Sequence, residues 1–382
     1  MGKQRPSHLR CGGLGLGGGI LPFPTRLDFA LEMEGPMAGP DNDSQPILIP
    51  KGRSRSGLPK ESWPCSNGLP NGVQFISVDF GMNRRASTDC VTTMRTLAGA
   101  TAILTGANGG IGTHLTRTLA NEGMNLLLVA YPGVGLSTLQ TAIQGVAPRA
   151  EILVADLRLH EERVRVVETV VEHFGGVDLL VNNAGVEFSA AFHELPVERI
   201  RETISVNLEA PITLTHLVLP LMLRQGRGHI VNMCSLAGKS GPGFQEPYVA
   251  TKAGLSAFTL SLRSTYRGTG VSASAVTPGF VEAGIYTRLK QRTGRSAPVL
   301  LGTCTPQRVC RAVVRAIRTD APEIILNPYP IRPILALSML FPRLGEWITE
   351  RTGVNDFFRQ AAGAAAMPRP GSPAPPDTID RP

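Results

Sequence analysis

No Cys-x-x-Cys pair and no histidine cluster at zinc spacing occurs in the 382 residues, although the chain holds six cysteines and seven histidines. That argues against a structural metal and against a disulfide framework, and it favours a reducing compartment, the cytoplasm. No run of roughly eighteen apolar residues is present, so a membrane-spanning helix is not expected. The apolar patch from Leu14 to Phe23 is broken by glycines and prolines and makes no signal peptide. Charge is sparse at 18% of residues, with 42% apolar, which excludes a polyelectrolyte and leaves enough apolar material for a sizeable core. The 38 basic residues exceed the 30 acidic ones, a balance that suits anionic partners in general.

Texture divides the chain. Residues 1–93 are rich in Gly, Pro and Ser, including the run GGLGLGGG at 12–19, and carry no sustained periodicity, so a disordered leader is expected. At Met94, a candidate true start, the pattern becomes regular and continues to about residue 360. The Pro-rich segment 363–382 is expected to be an irregular tail. Within the regular part, short apolar runs at 101–105, 125–130, 151–154, 178–182, 229–233, 271–276 and 323–326 alternate with longer helical segments. Runs this apolar suit strands covered on both faces, hence an α/β fold: a doubly wound parallel sheet of the Rossmann type, with about seven strands and flanking helices, over residues 94–330.

Two motifs carry chemistry. TGANGGIG directly follows the first apolar run and leads into a helical stretch, placing Gly106, Gly110 and Gly112 where backbone N–H groups can approach a pyrophosphate at the positive end of a helix. Further on, Ser235 closes an apparent strand, and Tyr248 and Lys252 stand four residues apart. On a helix that spacing shares one face, so the ammonium of Lys252 can favour the ionised form of the Tyr248 phenol.

Together with NNAG at 182–185, VNLEAP around Asn207 and the pair Pro278-Gly279, these residues resemble the classical short-chain dehydrogenases/reductases over about residues 98–330. The resemblance implies a catalytic tetrad of Asn207, Ser235, Tyr248 and Lys252. Tyr248 would exchange a proton with the substrate oxygen while hydride passes to or from a nicotinamide; Ser235 would orient that oxygen; Lys252 would lower the tyrosine pKa and hold the ribose; Asn207 would fix a relay water. It further implies cofactor contacts from Thr105, Gly106, Asn108, Gly110, Ile111 and Gly112, from Tyr131, from Asp156 and Leu157, from Asn183, Ala184 and Gly185, from Tyr248 and Lys252 themselves, and from Pro278, Gly279 and Val281. No metal is implied, and a homodimer or homotetramer is the expected assembly.

Two departures matter. The second strand ends Val129-Ala130-Tyr131-Pro132, with neither the acid of NAD-preferring relatives nor the Arg of NADP users. Without an acid a 2′-phosphate is not repelled, so NADP is expected ahead of NAD. After Pro278-Gly279 comes Phe280-Val281-Glu282-Ala283, without the Thr that anchors the carboxamide in many relatives. Cys234 reads as an inert buried thiol, and His114 and His216 as packed or solvated. Arg163, Arg165, Arg199, Arg201, Arg311 and Arg315 read as solvated helix faces, which leaves no nucleic-acid groove.

Residues 331–362 are expected to form an apolar helical appendix. Its run Ile334–Phe341, stopped by Pro342, is too short to span a bilayer. It can pack over the substrate cleft, which is the first expectation, be buried between subunits, or touch a membrane surface peripherally through 331–348. The segment Phe280–Thr305 is expected to be a lid carrying Ile285, Tyr286, Leu289, Val299, Leu300 and Leu301, which suits an apolar ketone, aldehyde or alcohol of steroid, retinoid or acyl-chain type. The function expected is therefore NAD(P)-dependent interconversion of a carbonyl and an alcohol on an apolar small molecule. The alternatives are a catalytically silent dinucleotide-binding regulatory protein and a dehydratase or epimerase on the same fold.

Overall fold

Each predicted apolar run forms a strand in the computed structural model, which describes residues 94–363 apart from 95, 134, 146–147 and 300. The readings made of residues 1–93, of Leu300 and of the tail from 364 lie outside the described residues. In chain order the elements are β1 (Thr101–Thr105), α1 (Gly110–Asn121), β2 (Asn125–Ala130), α2 (Leu136–Ile143), β3 (Ala150–Val154), α3 (His160–Phe174), β4 (Leu179–Asn182), α4 (Val197–Ile204) and α5 (Ala210–Gln225). They continue with β5 (Gly228–Met233), α6 (Ala237–Ser240), α7 (Glu246–Thr265), β6 (Val271–Pro278), α8 (Ile285–Thr293), α9 (Pro306–Thr319) and β7 (Glu323–Leu326). The last are α10 (Arg332–Leu340), α11 (Pro342–Arg351) and α12 (Val354–Ala361).

The seven strands run parallel in the order β3-β2-β1-β4-β5-β6-β7. Alternation along a strand sends neighbours to opposite faces, and β2 shows the result. Leu126 and Leu128 pack with Leu115, Leu119, Val313 and Ile317 from α1 and α9. Leu127 and Val129 pack on the other face with Val166, Val170, Leu214 and Val218 from α3 and α5. The chain reverses winding between β1 and β4, which opens a crevice at the carboxyl ends of the strands, the place where open α/β sheets bind ligands.

Two features differ from the sequence reading. Arg163 is not on a solvated face. Only 1% exposed, it donates to the Leu157 carbonyl at 2.7 Å, to Glu209 at 2.6 Å and to Ser205 at 2.8 Å. It thereby ties the turn after β3 to a π-helical stretch, Ser205–Glu209, that joins α4 to α5. Also, the helical run Val197–Gln225 is long and apolar enough to cross a membrane by length and composition. In the fold it serves as a core helix, with Ala210, Leu214, Val218 and Met222 buried against the sheet.

Candidate active site

A cavity of about 1310 Å³ opens over the carboxyl ends of the strands, walled on its far side by α8, α10, α11 and α12. Of the residues expected at the site, Gly106, Asn108, Gly110, Ile111, Gly112, Tyr131, Asp156 and Leu157 line it, as do Asn183, Ala184, Gly185, Ser235, Tyr248, Lys252, Pro278, Gly279 and Val281. Thr105 and Asn207 do not reach it. They are buried behind the wall and act on its backbone. The Thr105 hydroxyl accepts from the N–H groups of Asn183 at 3.0 Å and Ala184 at 3.1 Å. Asn183 returns the bond through its amide, which donates to the Thr105 and Gly106 carbonyls at 3.0 and 3.1 Å. Asn207 accepts from the N–H of Val186 and donates to its carbonyl, both at 2.8 Å, so its amide braces the loop after β4.

The glycine loop is steeply constrained. A Cβ on Gly112 would lie 2.0 Å from the Gly106 carbonyl oxygen, and one on Gly110 would lie 2.2 Å from the Gly284 backbone nitrogen, so neither position admits a side chain. Gly109 caps α1 without a side-chain bond, and the first turn holds no acidic residue. Helix N–H groups therefore meet the cavity with no carboxylate competing for them, a donor set that fits a dinucleotide pyrophosphate. Asn108 bonds the end of β2 in both directions, donating to the Tyr131 carbonyl at 2.9 Å and accepting from its N–H at 3.2 Å.

At the centre, burial dominates the electrostatics. It pushes the Tyr248 phenol up to about 12; a hydrogen bond with Ser235 pulls the other way, and the nearby Glu187 carboxylate adds to the rise. Burial lowers Lys252 to about 8. The expected acidification of the phenol by Lys252 is thus not what the structure shows. The two do share a helix face, with the Lys252 nitrogen 5.8 Å from the centre of the Tyr248 ring, but the ammonium donates to the Met233 carbonyl at 2.8 Å. Desolvation of a phenol with no positive partner on its oxygen raises its pKa. The consequence is a neutral tyrosine, able to donate a proton, at physiological pH. Cys234, beside Ser235, is buried and its thiol is pushed up, which fits an inert group.

Three contributors were not foreseen. Arg158 follows Asp156 closely in sequence but reaches across to β2: it grips the Asp156 carboxylate at 2.5 Å and donates to the Tyr131 hydroxyl at 3.2 Å. That pairing keeps the Asp156 carboxyl below its usual range. Glu187 lines the cavity close enough to Tyr248 to be felt electrostatically, and it bonds Ser189. Finally, α12 packs on the segment expected to be a lid: Phe357 and Phe358 meet Phe280 and Tyr286 ring to ring at 5.5–6.4 Å. A Glu or an Arg two residues past a motif carries no sequence signal of its own, because only the fold brings it to the site.

A family model described as short chain dehydrogenase matches residues 100–294. A ketoacyl reductase, HetN, of Nostoc sp. is 36% identical over 274 residues, covering 70% of this chain and 94% of the relative. A 3-oxoacyl-[acyl-carrier-protein] reductase, FabG, of Thermotoga maritima is 31% identical over 53% of this chain and 82% of its own. Among solved structures, a candidate NAD(P) dependent gluconate 5-dehydrogenase of Beutenbergia cavernae, with NADP at low occupancy, superposes with a TM-score of 0.54 at 31% identity, covering 60% of this chain and 95% of the other. With that breadth of similarity laid over a seven-stranded parallel sheet and a glycine-lined crevice, the chain belongs to the short-chain dehydrogenases and is an NAD(P)-dependent oxidoreductase acting on the CH–OH group.

Proposed function

We propose that the enzyme reduces an apolar ketone, with Tyr248 as the proton donor and NADP as the preferred cofactor. The observation that carries this reading is that the half-buried Tyr248 lines, together with Ser235 and Lys252, the same cavity that the glycine loop lines. A nicotinamide cofactor, when bound, supplies the hydride. The chain's own residues do the rest. Ser235 and Tyr248 offer two hydroxyls to one carbonyl oxygen, and Tyr248, protonated at neutral pH, delivers its proton as charge develops there. Lys252, whose ammonium predominates below about 8, holds the ribose side and keeps positive charge near the reacting centre. Thr105 and Asn207 act as positioning residues through the backbone of the β4 loop.

The substrate class follows from the walls opposite the sheet. Phe280, Ile285, Tyr286, Leu289, Leu301 and Ile334 present an apolar surface long enough for an extended chain. The names of the Nostoc and Thermotoga relatives make an acyl-chain ketone the first class to test. For the cofactor, Arg158, in the turn after β3 and bonded to the Tyr131 hydroxyl, supplies the guanidinium that the Val129–Pro132 sequence lacks and would hold a 2′-phosphate. Tyr248→Phe is expected to keep NADPH binding and to lower kcat by at least roughly 10²-fold. Equal turnover in the variant and the parent enzyme overturns the assignment.

A further inference from the structure

The helices after the sheet have two unlike faces. On α11, Gly345, Glu346, Ile348, Thr349 and Glu350 line the cavity, whereas Arg343, Leu344, Trp347 and Arg351 do not and are exposed. The latter set recurs at three- and four-residue steps, which is one helix face. The Arg351 guanidinium lies 5.3 Å from the centre of the Trp347 ring. On α10 the division repeats: Ile334, Leu335, Ser338 and Met339 line the cavity, while Leu337 and Leu340 are exposed beside it. At the corner between the helices, Met339, Leu340 and Phe341 are 76%, 72% and 58% exposed. An apolar stretch of this kind is more than a soluble monomer ordinarily leaves open.

Charge says what covers it. From Asn327 to Gly345 the sequence carries Arg332 and Arg343 and no acidic residue. The two acids of α11, Glu346 and Glu350, belong to the cavity side, so the outward face combines arginines with leucine, phenylalanine and tryptophan. On the same wall of the cavity, α8 adds the exposed Arg288, Lys290 and Arg292, of which Arg288 lines the cavity too. The acid beside them, Glu282, is 4.0 Å from Lys290. Apolar and aromatic side chains flanked by arginines match the boundary between acyl chains and anionic headgroups. Position adds a second argument. Met339 and Pro342 line the cavity and Leu340 and Phe341 stand between or beside them, so a protein seated on this patch would cover the rim of the cleft, whereas a bilayer there would present apolar molecules to it.

We propose that the outward faces of α10 and α11 seat the enzyme on an anionic lipid surface, with the rim of its cleft against the bilayer. The surface goes beyond the assignment of Tyr248 and is read by binding, not turnover, so either can fail alone. The test is flotation of the full chain with phosphatidylcholine vesicles and with vesicles containing about a third phosphatidylglycerol, alongside the emission of Trp347. Co-flotation with the anionic vesicles and a blue shift that is absent in Trp347→Phe are expected, with partitioning falling on the order of fivefold for each of Arg343→Gln and Arg351→Gln at low salt. Leu340→Glu/Phe341→Glu should lose flotation while its thermal transition and its binding of NADPH stay those of the parent, since neither residue lines the cavity. Absence of flotation, or flotation unchanged in that double variant, overturns the proposal. Concentration-dependent dimerisation abolished by the same pair, without vesicle binding, also overturns it and assigns the patch to a second copy of the chain.

Discussion

Arg158→Ala is the substitution expected to separate the two nicotinamide cofactors if NADP is preferred as proposed. Its guanidinium donates to Asp156 through Nε at 2.9 Å and through Nη2 at 2.5 Å, and to the Tyr131 hydroxyl at 3.2 Å, so it is held over the end of β2 rather than swinging in solvent. A hydrogen bond to a charged group contributes about 1.5–3 kcal/mol net when well shielded. The Arg158 side chain is 41% exposed, and engaging a phosphate requires it to share or release Asp156, so screening and competition cut the gain. About 1–2 kcal/mol remains, which corresponds to a loss of roughly 5–30-fold in NADPH affinity on truncation. Fluorescence titration of the purified protein with NADPH and NADH checks this. NADPH should weaken by that factor, NADH should change by less than about twofold, and the gap should narrow as salt is raised. If both cofactors weaken equally, the residue acts only by orienting Asp156 and Tyr131; if neither does, the 2′-phosphate is held elsewhere and the argument for NADP falls.

Two further outcomes follow from buried charge. Lys252 has its folded-state pKa lowered to about 8 from 10.5, so the unfolded chain binds the extra proton between those values and stability should rise with pH across that window, the burial penalty being fully present below about 8. The difference between the thermal-unfolding curves of the parent and Lys252→Met should therefore change between pH 8 and pH 10.5 and flatten outside it; a constant difference refutes the burial of a titrating ammonium. Arg163→Met removes bonds to Leu157, Ser205 and Glu209 at once and should cost about 2–4 kcal/mol in denaturant unfolding; a loss below about 0.5 kcal/mol would show that the π-helical stretch does not depend on it.

The strands were legible because a parallel sheet buried on both faces leaves each strand as an apolar run, as in Asn125–Ala130, where only the first residue is not buried. The glycine loop and the Tyr248–Lys252 pair were legible because their spacing is a local property of a turn and of one helix. What escaped reading was long-range. Arg158 meets Tyr131 only because β3 lies beside β2 in register, and the two are 27 residues apart. Arg163 looks like any arginine on an amphipathic helix until the π-helical stretch turns Ser205 and Glu209 toward it. The rise of the Tyr248 pKa was illegible for the same reason. Spacing announced a positive neighbour, but only the packed structure shows that ammonium bonded to the Met233 carbonyl.

These long-range contacts also divide the labour within the cleft. The sheet side is held by directional bonds from behind, Thr105 on Asn183 and Ala184, Asn207 on Val186, Arg163 on Leu157, and such bonds fix backbone position to a few tenths of an ångström. The opposite side is held by Phe280, Tyr286, Phe357 and Phe358, whose contacts are apolar and tolerate sliding. In the proposed reaction, proton delivery needs the first kind of wall, because a misplacement of an ångström at Tyr248 would cost most of the rate. If the proposed acyl-chain ketones are the substrates, accommodation of chains of differing length needs the second. Substitutions behind the sheet wall should therefore act on kcat, and substitutions in the aromatic cluster on which ketone is accepted.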